Sequence, residues 1–482
     1  MIISKKILIG VIFGFAAFIL ASCHQRDEVT FVFMDVNLIP MNTESIIENQ
    51  MVLVAGSRIM AIGDNGEIDI PKNAQVIDGD GAYLMPGLAD MHMHTRADWE
   101  DQEIWPVHPL YLYLVNGVTT IRDFTPYGSP LTYVLQWREE ISNLGRIGPT
   151  IYTSGKLLYA SPLENPQTIV RQNHDLGFDF LKLYSYLSKD DFHQVMTEAK
   201  ALDMYTVGHI PYSVGLDGVL AEEMDEIAHV EELLFEFIDF DRDSQRSPEE
   251  WMVYLAESAV LQFKLNSSTY QADFEKENAA LLQNIANRLS SAQVPVCTTM
   301  VLDDIIQLKL FQPTQFLTRL ENRYLESGYL ESFQDGEEKH QVQCRGVEDL
   351  CAFKYEIDRW ILQGLHAGDV LLLLGTDSGT GGMGIIPGFS IHDELRILVE
   401  NGFTPYEALK TGTLNAAIVV NRMNGGGNFG TIAVGNRADL ILVAGNPLDN
   451  VDALRDLMGV MAGGEWFSEQ RLNSLINPTN FK

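Results

Sequence analysis

The chain has 482 residues, about three domains by length alone or one large strand–helix barrel with a smaller companion. Its apolar share of 46% is ordinary for a globular protein with a sizeable core. The 66 acidic residues against 33 basic give a formal net charge of −33, a surface that repels phosphate backbones and excludes nucleic acid as a partner.

Residues 1–22 read as a targeting segment, apart from the fold. Lys5 and Lys6 precede the apolar run Ile7 to Leu20, shorter than the roughly 20 residues a spanning helix needs. The run ends in Leu20-Ala21-Ser22-Cys23, which resembles the lipobox of bacterial lipoproteins. That resemblance implies cleavage before Cys23, acylation of its thiol and a lipid-anchored place in the cell envelope. His24 in the next position points to an outer membrane, where the source has one. Three further cysteines remain, Cys297, Cys344 and Cys351. The close spacing of Cys344 and Cys351 allows a short disulfide loop in an exported protein.

From Val29 to Met85 short β-runs alternate with turns, and Ala55-Gly56-Ser57 and Gly79-Asp80-Gly81 read as hairpin breaks. Strands this short cannot bury a core unaided. The same texture returns in Gly430 to Gly445 and Leu457 to Phe467, so the two chain ends are expected to meet in one small β-sandwich. Between them strands and helices alternate, which predicts a parallel sheet. Eight strands are read at Gly87–His92, Val118–Asp123, Thr150–Gly155, Phe178–Tyr184, Met204–His209, Glu226–Val230, Val294–Thr299 and Val370–Gly375. The fold class is therefore α/β, a (β/α)8 TIM barrel with a β-sandwich built from both ends. The units are 1–22 (signal), 23–85 and 425–482 (sandwich), and 86–424 (barrel). Helices are expected at Asp190–Leu202 and Tyr355–His366, extra helices within Glu231–Gln293, and loops at Gln334–Gly346 and Gly379–Gly388.

Polar residues gather at the ends of these strands, where barrel enzymes keep their active sites. His92 and His94 stand at i and i+2 on one strand face. In Phe180-Leu181-Lys182-Leu183-Tyr184 the leucines suit the helix-facing side, so Lys182 and Tyr184 point inward, and a buried ammonium needs a partner or a change of charge. Asp123 is one such possible partner, and Arg122 a possible brace for the lysine or substrate, with structural ion pairing its default. His209, His229 and Asp377 close later strands. The remaining histidines, His340 and His392 among them, read as surface, helix or supporting residues.

MPGLADMHMH, FLKLY, TVGHIPYSVGL, LLLGTDS and GNRADLILVAGNPL, in this order, resemble the metal-dependent amidohydrolase superfamily. FLKLY followed by VGHIP resembles its prolidase-like, imidazolonepropionase-related branch, in which the lysine is carboxylated. The resemblance implies two divalent metal ions, zinc by donor chemistry although Mn, Co or Ni suit similar sites. His92, His94 and Asp377 would hold one, His209 and His229 the other, with carboxylated Lys182 between. It implies hydrolysis of an amide C–N bond in a small-molecule substrate, a dipeptide or N-acyl amino acid, with Asp377 as proton carrier and Tyr184 near the oxyanion. Alternatives are a mononuclear deaminase, a cyclic-amide or lactone hydrolase, and a lipoprotein that binds a ligand without catalysis.

Overall fold

The computed structural model describes residues 29–143, 145–263, 270–381 and 383–477, so the targeting segment and Cys23 lie outside the described residues. The N-terminal runs form β1 (Val29–Leu38), β2 (Ile47–Ala55), β3 (Arg58–Asp64), β4 (Gln75–Asp78) and β5 (Tyr83–Pro86). The central segment contributes β6 (Leu88–Met93), β7 (Val118–Asp123), β8 (Thr150–Thr153), β9 (Leu158–Ala160), β10 (Phe180–Tyr186), β11 (Tyr205–Gly208), β12 (Glu226–Ile227), β13 (Val296–Cys297) and β14 (Leu372–Leu373). The C-terminal part adds β15 (Leu440–Val443), β16 (Leu457–Ala462) and β17 (Glu465–Ser468).

Both chain ends lie in one eight-stranded sheet, ordered β17-β16-β15-β5-β1-β2-β3, with β4 also on β1. Gly56, at φ +55°, turns β2 into β3 as expected of a hairpin. Gly79-Asp80-Gly81 does not make one. β4 and β5 both run parallel to β1, β4 along Phe31–Met34 and β5 along Asn37–Leu38, so the turn only steps the chain along a long, bulged strand. The Phe33 ring of β1 meets the Trp466 ring of β17 edge-on at 5.3 Å. Four strand spacings would part them by roughly 19 Å in a flat sheet. The sheet is therefore strongly curled, around a cluster that includes Phe33, Leu38, Leu84, Leu440 and Met461.

Every strand pair from β6 to β14 is parallel, in a three-stranded sheet β6-β7-β8 and a six-stranded sheet β9 to β14. Each of the eight expected strands is present, and β9 is additional. Single parallel bridges link the two sheets, Met93 to Ser378 and Ser154 to Phe180. Backbone hydrogen bonds reinforce both seams, Met91 N to Leu374 O at 2.8 Å and Asp179 N to Thr153 O at 2.9 Å.

The strand alternation sorts side chains into two layers. Leu181 and Leu183 of β10 join the apolar layer with Val195 and Met196 of the helix Lys189–Ala201, while Phe180 packs with Met91, Val207 and Cys297 on the other side. Arg122 lies on that inner side, fully buried, with its guanidinium on Glu226, and Tyr205 donates to the same carboxylate at 3.0 Å. Arg122 is thus committed to a structural ion pair and does not brace Lys182.

The 231–293 stretch carries added helices, a 3-10 turn Val230–Glu236 and α-helices Pro248–Gln262 and Tyr270–Ala292. A capping box of Ser247 and Glu250 starts the first α-helix. Gln334–Gly346, expected to be a loop, contains the helical turn Lys339–Gln343. The Glu338 carboxylate accepts from the backbone N–H groups of His340 and Gln341 and so caps it. Cys344 and Cys351 are free thiols with sulfurs 2.7 Å apart, not a disulfide, and Cys297 is free and buried. Among the described residues no helix is long and apolar enough to cross a membrane.

Candidate metal centre

Five side chains come from the C-terminal ends of the parallel strands and a sixth, Lys182, from within β10. His92 is on β6 and Lys182 on β10, while His94, His209, His229 and Asp377 follow β6, β11, β12 and β14. All six are buried. The turn after β14 is held from β6: Thr376 donates to Asp90 through its amide at 3.1 Å and its hydroxyl at 2.6 Å, and Asp377 N donates to His92 O at 2.7 Å. Asp377 itself sits at φ +58°, a left-handed conformation uncommon for a residue with a Cβ and typical of functional sites.

The four imidazoles form a continuous row. Ring centroids are 5.4 Å apart for His94 and His92, 4.4 Å for His92 and His229, and 4.8 Å for His229 and His209. Asp377 Oδ1 lies 2.9 Å from His94 Nε2 and 3.5 Å from His92 Nε2, and the donor atoms of His92, His94 and Asp377 fall within 4.8 Å of one another. The Tyr184 ring stands 4.1 Å from that of His209.

Every histidine engages its other ring nitrogen. His92 Nδ1 meets Ala228 O at 3.2 Å and His94 Nδ1 meets Thr125 O at 3.1 Å. A carbonyl only accepts, so both Nδ1 atoms carry the proton and both Nε2 lone pairs face inward. His229 Nδ1 pairs with Thr299 Oγ1 at 2.8 Å, and His209 Nδ1 pairs with Glu232 Oε1 in a short contact. This is the arrangement that orients metal-binding imidazoles. Burial drives the His92 and His209 pKa values well below the ordinary value and that of His229 to about 3, so these rings are neutral at pH 7. Burial alone would raise Asp377, but the close approach of the His94 ring and the nearby His229 and Lys182 outweigh it and hold the carboxyl below its usual range.

Lys182 does not pair with Asp123, which accepts from Thr95 and Thr153 instead. Its Nζ has no hydrogen-bond partner and stands 4.7 Å from the Phe124 ring centroid. Burial brings its pKa down to about 8. His92 Nε2 and Asp377 Oδ1 are likewise buried without a hydrogen-bond partner. A set of imidazole nitrogens and a carboxylate oxygen, with these atoms left unsatisfied, fits a divalent cation. An ammonium is no ligand, so Lys182 fits the same group only after losing its proton or gaining an anionic substituent. The other converging acids, Glu231, Asp303 and Asp358, surround the Lys354 ammonium at 2.7 Å, 2.9 Å and 2.7 Å, which already fills their centre.

Sequence reasoning missed Glu232 and Thr299. Glu232 carries a faint signal, an acid pair Glu231-Glu232 set in the apolar run that follows His229. Thr299 carries none, since its φ of +49° appears only in the fold.

Residues 359–467 match the amidohydrolase family profile. An adenine deaminase of Staphylothermus marinus is 36% identical over 92 residues, 19% of this chain and 14% of that protein. The chain thus aligns with only a small part of the length of that curated relative. Among solved structures, a putative prolidase from Bifidobacterium longum superposes with a TM-score of 0.61 at 20% identity, covering 93% of this chain and 99% of that one. A Xaa-Pro dipeptidase with bound methionine gives a TM-score of 0.62 at 16% identity, covering 91% and 99%. At these identities the likeness is one of fold.

Proposed function

We propose that this protein is a dinuclear metal hydrolase that cleaves an amide C–N bond in a small peptide or N-acyl amino acid. The family match at residues 359–467 supports the class. The observation that carries the reading is the convergence of three unsatisfied buried atoms, His92 Nε2, Lys182 Nζ and Asp377 Oδ1, beside imidazoles whose other nitrogens are already engaged. In this reading the two parallel sheets and the bonds across their seams make a closed (β/α)8 barrel over residues 86–424, and the curled sheet makes the sandwich of 23–85 and 425–482. His92, His94 and Asp377 would hold one cation and His209 and His229 the second, with Lys182, as a carbamate, available as an anionic ligand to both. The lowered pKa of Lys182 supports the carbamate, because the neutral amine is the form that takes up carbon dioxide.

Bound divalent cations, zinc by this donor set, would supply Lewis acidity toward the carbonyl and a water acidified toward neutral pH. The chain's own residues do the rest. Asp377, ionised at neutral pH, accepts a proton from the attacking water on a carboxylate oxygen and returns it to the leaving nitrogen. Tyr184, whose pKa burial raises, keeps its phenolic proton and donates it as a hydrogen bond toward the developing oxyanion. The neutral imidazoles keep their Nε2 lone pairs for the cations.

The leader and Cys23 support export and lipid anchoring. A second reading, mononuclear deamination, is favoured by the deaminase relatives over the matched stretch. Metal analysis of protein purified without chelator separates the two. Two ions per chain in the wild type, falling to one or none in Lys182→Ala together with loss of amide hydrolysis, is the expected result. Unchanged metal content and activity in Lys182→Ala would overturn the dinuclear reading.

A further inference from the structure

A cavity of about 580 Å³ opens between the end of β10 and the helix Pro248–Gln262, lined by none of the six candidate ligands. The alternation of β10 puts Lys182, Tyr184 and Tyr186 on one face, so Tyr186 lies roughly 13 Å along the strand from Lys182. Aromatic rings bridge that distance. Tyr184 is 4.1 Å from His209 and 5.7 Å from Tyr186, Tyr159 touches both tyrosines at 5.0 Å and 5.3 Å, and Tyr212 links Tyr186 to Trp251 at 5.7 Å and 5.5 Å. Tyr186 and Trp251 both line the cavity. An aromatic track thus runs from a candidate metal ligand to the cavity floor.

The charges on the wall are nearly all spoken for. Lys189 is paired with Asp243 at 2.6 Å, and Asp191 accepts from Ser161 and Leu163 N. Asp190 accepts from Gln194 at 2.9 Å. Arg242 is held by Tyr212 O, Phe235 O and Glu236. Arg246 differs. Its Nε donates to Ser244 Oγ at 3.1 Å and its guanidinium lies 3.7 Å over the Tyr254 ring, with no carboxylate on it among the described residues. Arg58, Arg323, Arg345 and Arg422 also have no carboxylate partner among the described residues, but of these five only Arg246 lines the cavity, and its planar fork matches a carboxylate in two-point contact.

We propose that this cavity is a specificity subsite for the far end of an elongated substrate, a short peptide whose terminal aromatic residue lies against Tyr186 and Trp251 and whose free carboxylate meets Arg246. The assignment rests on the amide-hydrolase reading for what happens at the other end. The step from Lys182 to Tyr186 corresponds to about four extended residues, so a dipeptide cleaved at the centre does not reach Tyr186. Stacking on rigid rings supplies contact area and the guanidinium supplies selection for the anion.

The test compares Gly-Gly-Gly-Phe with its C-terminal amide on the full-length, metal-loaded protein. Binding is measured by calorimetry in an Asp377→Asn background, and kcat/KM with Asp377 intact. The acid should bind at least tenfold more tightly than the amide. That ratio should fall to within twofold of one in Arg246→Ala and recover in part in Arg246→Lys. Trp251→Ala should weaken both peptides alike. Equal binding of acid and amide, or a ratio unchanged in Arg246→Ala, overturns the subsite. Tight, carboxylate-dependent binding without cleavage of any amide upholds the subsite and defeats the hydrolase reading. Cleavage of both peptides at equal kcat/KM does the reverse.

Discussion

Glu232 shows how much of the centre lies outside its six candidate ligands. One carboxylate oxygen meets His209 Nδ1 and the other accepts Ile210 N at 3.0 Å, so a single side chain fixes both the ring and the backbone that carries it. Replacing Glu232 with Gln keeps the shape and removes the charge behind the imidazole. Metal affinity should fall by about 10–100-fold, read by competition with a chelator, while the fold remains intact by circular dichroism. An unchanged affinity would make Glu232 a packing residue. The order of strand-end residues made the six candidates legible in the sequence. Their supporting partners were not, because the contact that fixes each ring comes from another element, Thr125 for His94 and Thr299 for His229, 31 and 70 positions further along the chain. No pattern local to a histidine encodes such a partner.

At the scale of elements, the helix Ser390–Glu400 reaches into the same region through Glu394. Its carboxylate accepts from the Thr298 hydroxyl, from Met300 N at 3.1 Å and from Val301 N at 2.6 Å, and so pins the turn containing Thr299. Burial pushes its pKa up from 4.5 to about 8. Below about pH 4.5 the group is protonated in both folded and unfolded chains. Between there and about pH 8 only the unfolded chain ionises, so stability falls as pH rises, by up to about 1.4 kcal/mol per pH unit. Thermal unfolding should therefore show a Tm that declines from pH 5 to pH 8 in the wild type and declines less in Glu394→Gln. Parallel slopes would show that Glu394 is ionised in the fold. Elements themselves were the most legible level. All eight parallel strands and the helix near 190–202 could be read from alternation and apolar runs, since one face of each is buried. The turn at Lys339–Gln343 could not, because its stability comes from one Glu338 side chain and not from periodicity. The step between β4 and β5 also escaped, because a glycine turn looks the same whether its strands pair with each other or share a third.

For the whole molecule, charge is the dominant long-range term. A formal net charge of −33 repels itself in the compact state, and salt screens that repulsion within about 10 Å at 0.1 M. Raising sodium chloride from 0.05 M to 0.5 M should raise the Tm of the metal-loaded protein, and a flat or falling Tm would mean that local ion pairs such as those of Lys354 and Arg122 outweigh the global term. The composition made this charge plain. It could not show which cations are spent inside pairs and which, Arg246 among them, have no carboxylate partner among the described residues.

The sheet shared by the two chain ends has a further consequence in time. β5 pairs on one side with β1 and on the other with β15, Leu440 lying opposite Pro86. During synthesis β5 is made early and its second partner very late, after the whole central domain. At ~5–20 residues per second that interval is roughly 20–70 s. Throughout it the edge of β5 offers unpaired backbone groups to any other extended chain. The last strands thus act as a clasp, and a nascent or truncated chain that ends before β15 is the form of this protein most exposed to aggregation.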